Sequence, residues 1–160
     1  MVTIKAPSSI IVDGVSVFLA GSIEMGEAED WQTKITELLS SINVTVLNPR
    51  RDDWDSSWKQ TIDNPEFKEQ VTWELKGLEQ ADIIAVYFDP ATKSPVTMLE
   101  IGLYARSTKL IVCCPEGFNR KGNIDILCQR YGIEQAKDLE HLASLVKDRV
   151  KVLSEDFDSN

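Results

Sequence analysis

Two neighbouring stretches decide the fold: ADIIAVYF (residues 81–88) and SPVTMLEIGLYA (residues 94–105). The first is an apolar run rich in β-formers, as expected of a strand covered on both faces. A turn-rich loop, residues 89–95, follows it. The second stretch reads as a helix over residues 96–107. Strand, short loop and helix are the parts of a β–α–β unit, and the same alternation extends in both directions.

Towards the N-terminus, VSVFLA (15–20) is a strand ended by Gly21 and Ser22. Trp31, Ile35, Leu38, Leu39 and Ile42 recur at helical spacing over residues 27–41 and just beyond. NVTVL (43–47) is a second strand. NPRRDDWDSSWKQTIDNP then forms a long polar loop, a length that is usually functional or disordered. Pro65 opens a helix over residues 65–80, patterned by Phe67, Val71, Leu75 and Leu78. Towards the C-terminus come a strand at 109–114, a short helix at 124–131, a short fifth strand within 132–135 and an amphipathic helix at 137–153. The last residues, SEDFDSN, read as frayed. The whole predicts a flavodoxin-like, doubly wound, five-stranded parallel sheet in one domain, residues 1–160, with its core at about 15–150. Such sheets bind ligands at the carboxyl ends of their strands.

The 160 residues are 42% hydrophobic and 27% charged, ordinary values for a globular chain. The formal net charge of −9 disfavours a nucleic-acid polymer as partner, because the acidic surface repels phosphate. No apolar run is long enough to span a membrane. The N-terminus lacks a signal-peptide pattern. Cys113, Cys114 and Cys128 show neither a disulfide framework nor zinc spacing, which fits a reducing cytosol. His141 reads as a surface residue. Asp82 reads as a strand-boundary acceptor, away from the expected site.

Four segments reach the expected site. AGSIEMG (20–26) offers Gly21 for a tight turn and Ser22 for a hydroxyl, but it lacks the GxGxxG fingerprint. The alternative is a plain strand-to-helix turn. NPRRDDWD (48–55) places Arg50, Asp53 and Trp54 where an indole could stack on a base and a carboxylate could accept from it. The alternative is a solvated loop whose charges satisfy one another. Glu100 lies one helical turn from Val96, Thr97, Leu103 and Tyr104. Amid such neighbours a carboxylate is paired, neutralised or used, unless it sits on the helix surface. Gly102, inside the same helix, suggests close packing against the sheet. Glu74, in the helix before the 81–88 strand, is either a solvated acid or the second carboxyl group that glycosidic chemistry usually needs.

Together these segments resemble the nucleoside 2-deoxyribosyltransferase family. FLAGSIEMG (18–26), WELKGLEQADIIAVYF (73–88) and SPVTMLEIGLYA (94–105) match best. NPRRDDWD (48–55) and RKGNID (120–125) match more loosely. The likeness runs from about residue 15 to 133. It implies cleavage of the N-glycosidic bond of 2′-deoxynucleosides and transfer of the sugar to another nucleobase. Glu100 takes the place of the nucleophile that forms a covalent deoxyribosyl-enzyme, and Glu74 that of an acid handling the leaving base. The resemblance implies no cofactor and no metal, a nucleoside or nucleotide and a free base as ligands, and a homo-oligomer. Asn123 falls where some members complete a neighbouring subunit's site.

This chain departs from the pattern in three places, one of them Glu74, which is longer than the aspartate often found at its position. Ser94 stands where similar transferases often have an aspartate holding the sugar, and where related 5′-nucleotide N-hydrolases have a serine near phosphate. Phe18 stands where many members have a tyrosine that orients the nucleophile, so either Tyr87 or Tyr104 takes that role or the positioning is looser. Two alternatives therefore accompany the transferase. One is a deoxynucleoside 5′-phosphate N-hydrolase using the same glutamate, supported if Arg50 and Arg51 enter the pocket. The other is a nucleotide-sensing module without turnover.

Overall fold

The computed structural model describes residues 1–23 and 28–158. A six-stranded, all-parallel sheet runs in the order β1-β3-β2-β4-β5-β6. Its strands are β1 (Val2–Lys5), β2 (Ser16–Gly21), β3 (Thr45–Asn48), β4 (Ile83–Tyr87), β5 (Leu110–Cys113) and β6 (Glu134–Ala136). The helices are α1 (Trp31–Leu39), α2 (Pro65–Gln80), α3 (Pro95–Tyr104), α4 (Lys121–Tyr131) and α5 (Leu139–Asp158). The five strands expected from sequence are all present, in the doubly wound order. The sixth, β1, is an added edge strand paired with β3. At the other end of the chain, the tail expected to fray continues α5 through Asp158.

Alternate side chains of each central strand feed two cores. Val17, Leu19, Ile83, Ala85 and Ile111 pack beneath Trp31, Ile35 and Leu39 of α1 and Leu142 and Val146 of α5. Phe18, Ala20, Ile84, Val86 and Val112 pack beneath α2, α3 and α4 through Trp73, Leu78, Ile101 and Ile124. This period-two division explains why the strands read as continuous apolar runs. Cys113 belongs to one core and Cys114 to the other, and all three cysteines are free and buried. Burial pushes the Cys113 thiol up to about 12 and those of Cys114 and Cys128 to about 11, so none is a ready nucleophile.

Helix α2 begins where Pro65 predicts. Asn64 caps it by accepting from the Phe67 amide at 2.7 Å. Of the expected pattern, Leu78 is buried, Phe67 and Val71 are half-buried and Leu75 is exposed. Gln70, Trp73 and Gly77 complete the inward face beside Leu78. The reason is Phe18. Its ring lies 6.2 Å from that of Trp73, and a Cβ on Gly77 would come within 2.7 Å of it. The close helix–sheet approach expected at Gly102 therefore occurs at Gly77. Gly102 is exposed, with nothing within 4 Å of where its Cβ would stand.

Asp82 behaves as a boundary acceptor. Its carboxylate takes the Ser16 amide at 2.8 Å and the Ser16 hydroxyl at 2.7 Å, tying the amino ends of β2 and β4 together. The opposite, carboxyl edge is where β2 lies between β3 and β4 and the chain changes winding direction. That is the switch point at which such sheets open a crevice.

Candidate active site

At the carboxyl end of β2, Gly21 pairs with Tyr87 of β4, and the Ser22 amide continues the ladder to the Tyr87 carbonyl at 3.1 Å. No side chain fits at position 21. A Cβ there would lie 2.3 Å from the Tyr87 carbonyl oxygen and 2.7 Å from the Trp31 ring. Trp31 in turn donates its indole N–H to the Ser22 carbonyl at 3.0 Å. The remainder of the AGSIEMG turn, including Gly26, lies outside the described residues.

The Ser22 hydroxyl is the hub of a buried polar knot. It accepts from the Asp89 amide at 2.9 Å and lies 2.9 Å from the Thr92 hydroxyl and 2.5 Å from that of Ser94. Thr92 and Ser94 are 2.8 Å apart. Three hydroxyls thus meet where α3 begins. Ser94 holds the N-cap position in the left-handed region (φ 45°, ψ 52°), so its side chain points into the knot and makes no capping bond. Sequence reading marked Ser22 and Ser94 but not Thr92, although its place two residues before Ser94 in a loop at a strand end was a usable signal.

Helix α3 buries Thr97 and Ile101 and leaves Glu100 half-buried at its margin. Burial, and secondly the charge of Glu74, push the Glu100 carboxyl up to about 8. The rotated face of α2 brings Glu74 towards this site, likewise half-buried. Burial raises the Glu74 carboxyl, while a 2.8 Å hydrogen bond from the Gln70 amide opposes that rise. Two acids from separate helices are therefore electrostatically coupled at the carboxyl edge of the sheet. Gln70, which sequence reading missed, stands one turn before Glu74.

The loop at residues 48–55 is largely self-satisfied. The buried Arg51 guanidinium grips both oxygens of Asp53, at 2.7 and 2.9 Å. It also reaches Glu69 and lies 5.0 Å over the Trp58 ring. Asp53, expected to meet substrate, is thus committed to Arg51, whose hydrogen bonds lower its carboxyl from the ordinary value. Arg50 reaches the carbonyls of Ala28 and Glu29 and the side-chain oxygen of Gln32, all at 3.4 Å. Trp54 is half-buried, edge-on to Trp58 at 5.1 Å.

Asn123 is exposed in the first turn of α4. Tyr87 packs against Trp31 on the opposite face of the sheet from Glu100. On α3, burial, then the charge of Glu79 and then that of Glu100 push the Tyr104 hydroxyl up. Among the described residues, no group of three or more His, Cys, Asp or Glu side chains is placed to hold a metal ion.

Fold and site together define a doubly wound α/β protein with a coupled pair of carboxyl groups at the switch point of its sheet. The chain belongs to the nucleoside 2-deoxyribosyltransferase-like family, whose sequence profile matches residues 14–118. That span includes Gly21, Ser22, Glu74, Ser94 and Glu100, and ends before Asn123. The family points to nucleoside or nucleobase substrates and to glycosyl transfer or a related reaction. The fold is similar to that in the crystal structure of a conserved protein from Enterococcus faecalis V583, with a TM-score of 0.60 and 12% identity. The likeness covers 86% of this chain and 99% of that one. No curated protein matches the chain. No helix among the described residues is long and apolar enough to cross a membrane.

Proposed function

We propose that this chain is a cytosolic, single-domain transferase that moves the 2-deoxyribosyl group of a 2′-deoxynucleoside to another nucleobase. The observation that carries the reading is the coupled pair, Glu74 and Glu100. A Glu100 oxygen forms a bond to the anomeric carbon as the C–N bond breaks, and that bond's electron pair leaves with the base. The departing base needs one proton. A pair of carboxyl groups that share a proton supplies it: as Glu100 becomes the ester, its proton passes through Glu74 to the base nitrogen. An incoming base reverses each step. Gly21 and Ser22 admit the sugar close to the backbone, and Trp54 offers a face to the base.

One observation favours the second reading, a deoxynucleoside 5′-phosphate N-hydrolase. The Ser22, Thr92 and Ser94 hydroxyls can meet a phosphate without bringing negative charge to it. Against it, the Arg51 guanidinium is taken by Asp53 and Glu69, so it is no phosphate clamp. Incubation with deoxynucleosides and their 5′-monophosphates, with and without a second free base, separates the readings. Base exchange is expected. Base release alone, confined to monophosphates, establishes the hydrolase instead. Binding without turnover that survives Glu100→Gln would leave only a nucleotide sensor.

We also propose that a second copy covers the outer stripe of α3. Val96, Leu99 and Leu103 lie on that stripe, 58–73% exposed, on a helix whose single charged residue is Glu100. In a chain of net charge −9, an uncharged face is where two copies approach without repulsion, and one stripe meets itself across a two-fold axis. Light scattering should show a dimer or larger assembly, and the double variant Leu99→Glu, Leu103→Glu should be monomeric. An unchanged mass in that variant removes α3 from the interface.

A further inference from the structure

We propose that Gln70 is a positioning residue: it presents an amide N–H to Glu74, and only an N–H, and so favours the anion at Glu74 and leaves Glu100 as the protonated acid in the resting protein. The inference rests on the transferase reading for its meaning, but not for its test.

The geometry leaves the amide no choice of orientation. The Gln70 nitrogen lies 2.8 Å from the Pro49 carbonyl and 2.8 Å from a Glu74 carboxyl oxygen. A carbonyl can only accept, so nitrogen, not oxygen, must face Pro49. Its second hydrogen then falls to Glu74. A carboxylate accepts that bond better than a carboxylic acid does, so the contact favours the anion at Glu74.

A second observation sets Gln70 apart from a residue chosen to fill space. Its side chain is buried, 4% exposed, and its amide oxygen has no hydrogen-bond partner among the described residues. A buried acceptor left unpaired is a cost. Methionine or leucine would fill the same volume without it. The nitrogen end is therefore what position 70 requires, and the oxygen end is tolerated for its sake.

Among the described residues, the groups that act on the two carboxyls are few. On α3, Glu100 faces Glu74 and Tyr104 feels the charge of Glu100. From the loop before α2, Arg51 is committed to Asp53 and Glu69, and Arg50 to two backbone carbonyls and Gln32. The Gln70 donor is thus the polar contact that tells the two acids apart. It also fixes the direction of proton flow: Glu100 releases a proton on becoming a nucleophile, and Glu74, the anion, is ready to receive it and hand it to the base.

The test is a carbon-13 NMR titration of the glutamate carboxyl carbons in the unliganded protein, with Glu74 and Glu100 assigned from Glu→Gln variants. In the wild type, the Glu100 carbon should titrate at higher pH than the Glu74 carbon. In Gln70→Met the gap should close by about one pH unit or more, or invert. Gln70→Asn, too short to reach both partners, should do the same. Midpoints that stay put in a folded variant overturn the proposal, as does failure of both variants to fold, which would make the amide structural. With substrate, kcat of Gln70→Met should fall while KM holds, and its pH profile should shift with the midpoints. If the wild type turns over no substrate, the transferase reading fails while the titration still decides the role of Gln70.

Discussion

Glu100→Gln will cost roughly 10^4-fold or more in turnover, the scale seen when a covalent nucleophile is removed, and yet it will make the protein harder to unfold at pH 8. Both effects come from one carboxyl group. In the proposed reaction it forms the bond to the sugar, and an amide cannot replace it. As a half-buried acid it is held protonated up to about pH 8, against an ordinary value of 4.5. Between those values the unfolded chain has released the proton and the folded chain has kept it. The unfolded state therefore binds fewer protons, and stability falls as pH rises through that window. Glutamine has no proton to lose. The melting temperature of the variant should exceed that of the wild type at pH 8, and the difference should shrink towards pH 5. Retained turnover removes Glu100 from the nucleophile role. A difference that grows on acidification reverses the electrostatic account.

Gly21→Ala will destabilise the fold by about 3 kcal/mol or more, lowering the melting temperature by roughly 6–12 °C. The added methyl would stand 2.3 Å from the Tyr87 carbonyl oxygen, in a strand pair with no room to part. It would also press on the Trp31 ring at 2.7 Å. The backbone at Gly21 has φ +155°, a conformation that side chains rarely adopt, which adds strain to the clash. Urea denaturation measures the loss. Gly102→Ala is the matched control, since its methyl would meet nothing within 4 Å. A Gly21→Ala protein as stable as that control would mean the β2–β4 ends are far more yielding than their geometry implies.

The central strands were legible in sequence because both faces of the sheet are covered. ADIIAVYF reads as strand precisely where its residues divide between two cores. Strand β1 was not legible, since its four residues are exposed or half-exposed at an edge and carry no such run. Helix α2 was placed correctly from Pro65, but only part of its buried face was. The apolar pattern marked Leu78 rightly and Leu75 wrongly, whereas the rest of the face is set by a polar Gln70 and by Gly77 against Phe18. That is a tertiary fact, decided by a ring from another element. The same limit applies to the site. Glu100 and Glu74 could each be marked from local pattern and resemblance, but their coupling requires two helices to meet. The pairing of Arg51 with Asp53 lies only two residues apart, and it shows that loop charges can be consumed locally before any substrate arrives.

Trp54 and Trp58 stand 5.1 Å apart, 65° between their planes, on the loop that borders the site. The other two indoles of the chain, Trp31 and Trp73, are buried against the sheet. Two chromophores at that distance and angle are excitonically coupled, and the guanidinium over one of them perturbs its emission. The protein thus carries its own optical label on this loop. Near-ultraviolet dichroism and red-edge fluorescence follow that segment without dye or tag, against a background of two indoles sheltered from solvent.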